Sequence, residues 1–125
     1  MDHLEFLNFA KSTVLNAKSE FEYRNIASRA YYYALHCCLL NKIGRSIPIE
    51  NTFGSHDKVY KAIEDLPGVD GDFGILKSMV YVAKMMKLER KHADYVLSEP
   101  FTFEQAKRQV VDATTIHRHF RSLSN

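Results

Sequence analysis

Glycine and proline, the residues that most often interrupt helices, are rare in this chain and fall between segments of helical periodicity. Among 125 residues there are 5 glycines and 3 prolines. No segment shows the apolar–polar alternation that a half-buried strand requires. Long helices with short connections pack most simply as an antiparallel bundle. The sequence therefore predicts an all-α fold, an up-down antiparallel bundle of four to five helices, in a single domain over residues 1–125.

Five helices are predicted from the apolar periodicity and the turn residues. They cover about residues 2–17, 20–43, 55–66, 73 to at least 92, and 103–123. Gly44 is expected to end the second helix, and the loop that follows contains Ile47, Pro48 and Ile49. Three helix starts have the spacing of a capping box. These pairs are Asp2 with Glu5, Ser19 with Glu22, and Thr102 with Gln105.

Composition restricts the class of protein. The net charge is +2, so any attraction to nucleic acid must come from local patches. Cys37 and Cys38 are neighbours on a helix and do not bridge each other readily, so we expect buried thiols in a reducing compartment. No apolar run approaches the ~20 residues that span a bilayer, and the N-terminus does not resemble a signal peptide. We therefore expect a cytoplasmic protein without a membrane segment.

An apolar stripe on the predicted fourth helix continues into charged residues. Its apolar members are Leu76, Met79, Ala83 and Met86, and the same helical angle then reaches Arg90 and Asp94. One interpretation is an ion pair at the edge of the core. The other is an arginine that grips phosphate, for which the planar guanidinium is suited.

A second stripe on this helix consists of lysines. Its members are Lys77, Lys84, Lys87 and Lys91. They form either a solvated face or a basic track toward Arg90 that follows a nucleic-acid backbone.

The predicted second helix carries a polar stripe that an ordinary core does not need. Asn25, Arg29, Tyr32 and His36 lie at spacings of four, three and four residues. The stripe is either a packed polar network between helices or the site of a general acid or base, with His36 as the titrating group.

The sequence predicts no metal site and no cofactor. The segment Glu89 to His92 has the Glu-x-x-His pattern of one half of a di-iron site, but the sequence contains no second copy of this pattern. Two adjacent cysteines cannot build a tetrahedral zinc site. His117 lies on an apolar stripe and is expected to be structural.

Three segments, taken in order, resemble the HEPN superfamily of small helical-bundle domains. They are Arg29 to His36, Gly54-Ser55-His56, and Arg90 to Tyr95, the last of which is similar to the R-x-x-A-D-Y signature of one stand-alone branch. HEPN domains occur beside nucleotidyltransferases, in toxin–antitoxin pairs, and in anti-phage and RNA-processing proteins. The resemblance covers nearly the whole chain.

The resemblance implies a homodimer that acts on RNA. Members that cleave RNA do so without metal, with an arginine followed four to six residues later by a histidine. Arg90 matches that arginine, but Tyr95 follows Asp94 where the histidine is expected. The candidate catalytic residues are therefore Arg90, Asp94, Tyr95 and His36. The alternative is a non-catalytic HEPN module that binds a nucleotide or a partner such as a cognate nucleotidyltransferase, and a purely structural dimer module also stays open.

Overall fold

The computed structural model describes residues 1–46 and 55–124, and it contains six helices and no strand in those ranges. The helices are α1 (Leu4–Val14), α2 (Glu20–Leu40), α3 (Lys42–Arg45), α4 (Ser55–Glu64), α5 (Gly71–Tyr95) and α6 (Phe103–Ser122). The predicted all-α class is confirmed. The predicted loop at Ile47, Pro48 and Ile49, and Gly54 of the second motif, lie outside the described residues.

Four of the helices form an up-down bundle, and α4 packs along α5. Contacts of Arg24 with Ala93, and of Glu89 with Gln105, show that α5 runs antiparallel to both α2 and α6. The α1 helix lies against α2 and α6, with Phe6 beside His36. The predicted antiparallel topology is therefore confirmed.

The α2 helix occupies the centre of the bundle. It contacts α1, α5 and α6, and eleven of its residues are buried. A helix surrounded in this way is apolar on most faces, which explains why Tyr31 and Tyr33 can both be fully buried although they are only two residues apart. Cys37 and Cys38 are free buried thiols, as predicted.

The predicted end of the second helix at Gly44 is wrong. The helix ends at Leu40, and Asn41 takes an extended conformation before the one-turn helix α3. The Asn41 side chain donates to the carbonyls of Cys37 and Cys38 and accepts from the Gly44 amide. Gly44 is needed there for close approach, because a Cβ atom would overlap the carbonyl oxygen of Cys38.

The helix starts follow the predicted capping residues in two cases. Thr102 and Gln105 form a complete capping box, and the Ser19 hydroxyl accepts from the Glu22 amide. At the first start, the Asp2 carboxylate accepts from the Leu4 amide without a contribution from Glu5, so the box predicted there does not form. The helix itself is shorter than predicted, Leu4–Val14.

Candidate functional site

Arg90 is a buried cation surrounded by aromatic rings. It lies on the inward face of α5, after Met86, and is only 7% exposed. Its guanidinium carbon is 5.3 Å from the ring centre of Tyr31, 5.9 Å from that of Tyr32 and 5.8 Å from that of Tyr95. Each face attracts the positive charge through its ring quadrupole. The predicted placement of Arg90 on the buried stripe is confirmed.

Few polar contacts compensate for the burial of this guanidinium. Its Nη1 lies 3.5 Å from the Asp94 carboxylate, an oxygen that also accepts from the Ser28 hydroxyl at 3.3 Å. Its Nε is buried and has no hydrogen-bond partner within the described part of the chain. A guanidinium carries five N–H donors, so this side chain has capacity for a further acceptor. We refer to Arg90, Asp94, Tyr31, Tyr32 and Tyr95 as the Arg90 cluster.

The polar stripe of α2 adjoins this cluster through Tyr32. The Arg29 guanidinium carbon is 5.6 Å from the centre of the Tyr32 ring, and Arg29 Nε donates to Asn25. The Tyr32 carbonyl accepts from His36 Nδ1 at 2.7 Å. His36 therefore contacts the backbone of Tyr32 and Arg90 contacts its ring, so Tyr32 is the stripe residue that belongs to the cluster.

His56, at the start of α4, also lies at the site. In the sequence it stood out only as part of the Gly54-Ser55-His56 motif. Its Nδ1 is 3.0 Å from the Tyr31 hydroxyl, which is also 2.8 Å from the Tyr60 hydroxyl. Burial lowers the pKa of His56, and the positive charges of Lys87 and Arg90 lower it further. Only the packing of α4 against α2 and α5 brings this ring to Tyr31, so sequence spacing carried no signal for the contact.

The phenols beside Arg90 stay protonated at neutral pH. Burial raises the pKa of Tyr31 far above its usual value, and it raises the pKa of Tyr60 well above 10. Both hydroxyls therefore act as neutral donors and acceptors. Asp94 is the only carboxylate within ion-pair distance of Arg90 among the described residues, and its side chain is 28% exposed. Tyr95 is 72% exposed, and its ring lies beside the guanidinium.

Three of the four stripe lysines have intramolecular partners. Lys77 donates to the carbonyls of Leu66 and Gly68, Lys84 pairs with Glu64, and Lys87 pairs with Asp57 at 2.6 Å. The hydrogen bond from Lys87 lowers the pKa of the Asp57 carboxyl. Lys91 is exposed at the Arg90 end of the stripe. Lys87 and Lys91 are therefore the stripe lysines nearest the cluster, and Lys77 is committed to the turn after α4.

The stripe borders a shallow depression between α4 and α5 of about 410 Å³. Its lining alternates charged and apolar side chains, with Tyr81, Met85 and Leu88 beside Lys84, Lys87 and Lys91. A larger depression of about 500 Å³ lies between α5 and α6 and includes Glu89, Glu104 and Asp112. It contains none of the predicted site residues.

Neither metal ligands nor a membrane segment emerges from residues 1–46 and 55–124. No group of three His, Cys, Asp or Glu side chains there is arranged to hold a metal ion. None of the helices in these ranges is long and apolar enough to cross a bilayer. His92 faces Phe101 and Glu99 near the end of α5, away from Arg90.

No protein-family model matches the chain, and no curated protein or solved structure shows significant similarity to it.

Proposed function

We propose that this protein is a HEPN-like module of the toxin–antitoxin or anti-phage defence type. It binds RNA at the Arg90 cluster and cleaves it without metal, as a homodimer in the cytoplasm. The observation that carries the proposal is a guanidinium that is 7% exposed, enclosed by three tyrosines and has a buried Nε without a partner.

The first step of the argument concerns the anion. A buried arginine is costly unless its charge and its donors are matched. Asp94 gives Arg90 a single contact at 3.5 Å, which is longer than a strong charge-assisted hydrogen bond. A phosphate oxygen would supply the missing acceptor, and the planar guanidinium fork suits phosphate recognition.

The second step concerns the rest of a nucleotide. Tyr95 is largely exposed and lies directly beside the guanidinium, so a base can stack on its outer face while the phosphate meets Arg90. Single-stranded RNA is commonly held by stacking on aromatic side chains together with cationic contacts to the backbone. Arg29 and Lys91 lie around the cluster and extend its positive field.

The third step concerns the partner. Four large side chains form an exposed stripe on α5 at heptad spacing, namely Tyr81, Met85, Leu88 and Tyr95. Such a seam suits a helix of a second copy. Its last member, Tyr95, belongs to the Arg90 cluster, so parallel pairing of two α5 helices along the seam would bring two clusters near each other.

The experiment is incubation of the purified protein with a mixed pool of single-stranded RNA in the presence of EDTA. We expect cleavage by the wild type and a loss of about 100-fold or more in Arg90→Ala. Arg90→Lys retains the charge but loses the fork, and we expect it to recover only a small part of the activity. Arg118→Ala, which removes an exposed arginine from α6, is the control matched for net charge and should cleave like the wild type.

Equal cleavage by the wild type and Arg90→Ala would contradict the proposal. Binding of RNA that depends on Arg90, without cleavage, would favour the second candidate function, a non-catalytic HEPN module. The observation that favours it is the sequence Asp94-Tyr95-Val96, which has no histidine at the position where RNA-cleaving members carry one. In that case the cluster binds a nucleotide, or docks a partner such as a cognate nucleotidyltransferase.

A further inference from the structure

We propose that Asp94 is the residue of the Arg90 cluster that distinguishes RNA from DNA. Its carboxylate accepts a hydrogen bond from the ribose 2′-hydroxyl of the nucleotide whose phosphate Arg90 binds. This inference rests on the proposed function and assigns recognition of the sugar. Neither Arg90 nor Tyr95 can supply that recognition, because a guanidinium binds the phosphates of RNA and DNA alike and an aromatic face stacks on the bases of both.

The Asp94 carboxylate is held through only one of its oxygens. Oδ2 lies 3.5 Å from Arg90 Nη1 and accepts from the buried Ser28 hydroxyl at 3.3 Å. Oδ1 has no hydrogen bond with any residue of the ranges 1–46 and 55–124. The Asp94 side chain is 28% exposed, whereas that of Arg90 is 8% exposed. Asp94 therefore presents a free acceptor on the solvent side of the guanidinium, in an orientation that Arg90 and Ser28 set.

Asp94 also lies next to the place where the phosphate would bind. It contacts Arg90 at Nη1, and Nε has no partner in the described part of the chain. The donors of a guanidinium surround one carbon in one plane, so a phosphate at Nε and the carboxylate at Nη1 would be close neighbours. Two anions that share one guanidinium repel each other. The ligand must offset this repulsion.

An RNA ligand can offset the repulsion, whereas a DNA ligand cannot. The 2′-hydroxyl is attached to the carbon beside the one that carries the 3′ phosphate, so a donor lies close to the bound anion. An ionised carboxylate can only accept, and carboxylates hold ribose hydroxyls in this way in dinucleotide-binding folds. Deoxyribose has a C–H group at the same place and leaves Asp94 with repulsion alone. The 2′-hydroxyl is thus the ligand group that matches Asp94.

The test measures binding rather than cleavage, because the 2′-hydroxyl is also the nucleophile in metal-free cleavage of RNA. The probes are adenosine 3′-monophosphate, its 2′-deoxy form and its 2′-fluoro form, titrated into the protein and followed by NMR. None of the three carries a leaving group on its phosphate, so none can be cleaved. Fluorine preserves the sugar pucker of RNA but cannot donate. We expect the wild type to bind the ribonucleotide about 10-fold or more tightly than either analogue, as a hydrogen bond to a charged group implies.

Two variants of Asp94 separate its charge from its hydrogen bond. Asp94→Ala should bind both analogues about threefold or more tightly than the wild type does, because the repulsion is gone. Its preference for the ribonucleotide should fall below about twofold. Asp94→Asn retains the shape and the contact with Ser28, and it should show the same tighter binding of the analogues. It carries the test if circular dichroism shows that Asp94→Ala is unfolded.

Glu104→Ala is the control matched for net charge. Glu104 is an exposed acid in the first turn of α6, and it has no contact with the Arg90 cluster. Its removal should leave the preference for the ribonucleotide equal to that of the wild type.

The other outcomes overturn the inference, and they show whether the proposed function falls with it. Equal binding of the three nucleotides by the wild type, lost in Arg90→Ala, would leave phosphate binding at the cluster intact and refute the inference alone. A preference that persists in Asp94→Ala would do the same, because another group would then recognise the hydroxyl. Weaker binding of all three nucleotides by Asp94→Ala would make Asp94 a residue that only positions Arg90. If no nucleotide binds, or if binding does not depend on Arg90, the proposed function fails and the inference fails with it.

Discussion

Three consecutive tyrosines on α2 have three different roles, because neighbouring side chains on a helix point about 100° apart. The Tyr31 hydroxyl lies between His56 and Tyr60, whereas the Tyr33 hydroxyl lies 2.5 Å from His117 Nδ1. Tyr32 offers its ring face to Arg29 and Arg90, and its hydroxyl has no hydrogen bond with the described residues. The expected structural role of His117 agrees with its contact to buried Tyr33.

These differences predict unequal costs for removing each hydroxyl. Tyr33→Phe leaves His117 Nδ1 without its hydrogen-bond partner and should lower the free energy of unfolding by about 1 kcal/mol. Tyr31→Phe should cost a similar amount for the same reason. Tyr32→Phe is the matched control and should change stability by less than about 0.5 kcal/mol. Urea unfolding of the three variants measures this, and equal values for all three would contradict the assignment.

The two buried arginines, Arg24 and Arg90, differ in how many hydrogen bonds their guanidinium groups make. Arg24 is 8% exposed, close to the 7% of Arg90, but its guanidinium donates to the carbonyls of His92, Ala93 and Val96, and also to that of Glu99. Arg24 is therefore satisfied by the fold. Arg90 is not, which is why we assign binding to Arg90 and a structural role to Arg24.

At the scale of elements, Arg24 is the cap that ends α5. The last carbonyls of a helix lack intrahelical partners and carry partial negative charge, so a cation from the start of α2 stabilises them. The Glu20 carboxylate, also at the start of α2, accepts a hydrogen bond from the Phe101 amide just before α6. One end of the bundle is thereby held together by contacts between α2, the end of α5 and the start of α6.

Loss of this cap should destabilise the whole bundle. We expect Arg24→Ala to lower the free energy of unfolding by about 3 kcal/mol, since several charge-assisted hydrogen bonds to buried carbonyls disappear together. Arg108→Ala removes an exposed arginine from α6 and should change stability by less than about 0.5 kcal/mol. Chemical denaturation gives both values. A cost below about 1 kcal/mol for Arg24→Ala would show that the carbonyls find other partners.

At the scale of the whole molecule, three histidines in their uncharged form pack against aromatic residues of other helices. His3 stacks on Tyr33 at 5.3 Å and meets Phe120 edge-on, and the other two are His56 and His117. Burial is the main cause that lowers the pKa of all three below the usual value of 6.5. The folded state therefore prefers the uncharged rings.

The sign of the resulting pH dependence follows from proton binding. Below pH 6.5 the unfolded chain binds protons that the folded chain still excludes, so stability is complete above that pH and falls as the pH drops. We expect the free energy of unfolding to decrease between pH 7 and pH 5. His3→Phe retains an aromatic ring against Tyr33 but cannot titrate, so its decrease should be smaller. A steeper decrease in the variant would contradict this account.

The sequence predicts those features of the structure that depend on contacts between residues close together in the chain. The buried face of α5, from Leu76 to Arg90, was predictable because helical periodicity is a property of nearby residues. The break at Asn41 was not, because it depends on a side chain that replaces backbone hydrogen bonds. Likewise, the lysine stripe was visible in sequence, but its neutralisation by Glu64 and Asp57 required the packing of α4 on α5.

By itself the sequence determined an all-α bundle, the inward face of α5, and the position of Arg90 at the end of an apolar stripe. Each of these depends on the periodicity and capping of neighbouring residues. Only the tertiary structure decided that Arg90 and His56 both lie against Tyr31, because the three residues come from α5, α4 and α2. Contacts between residues tens of positions apart arise from the packing of whole helices, which local patterns do not encode.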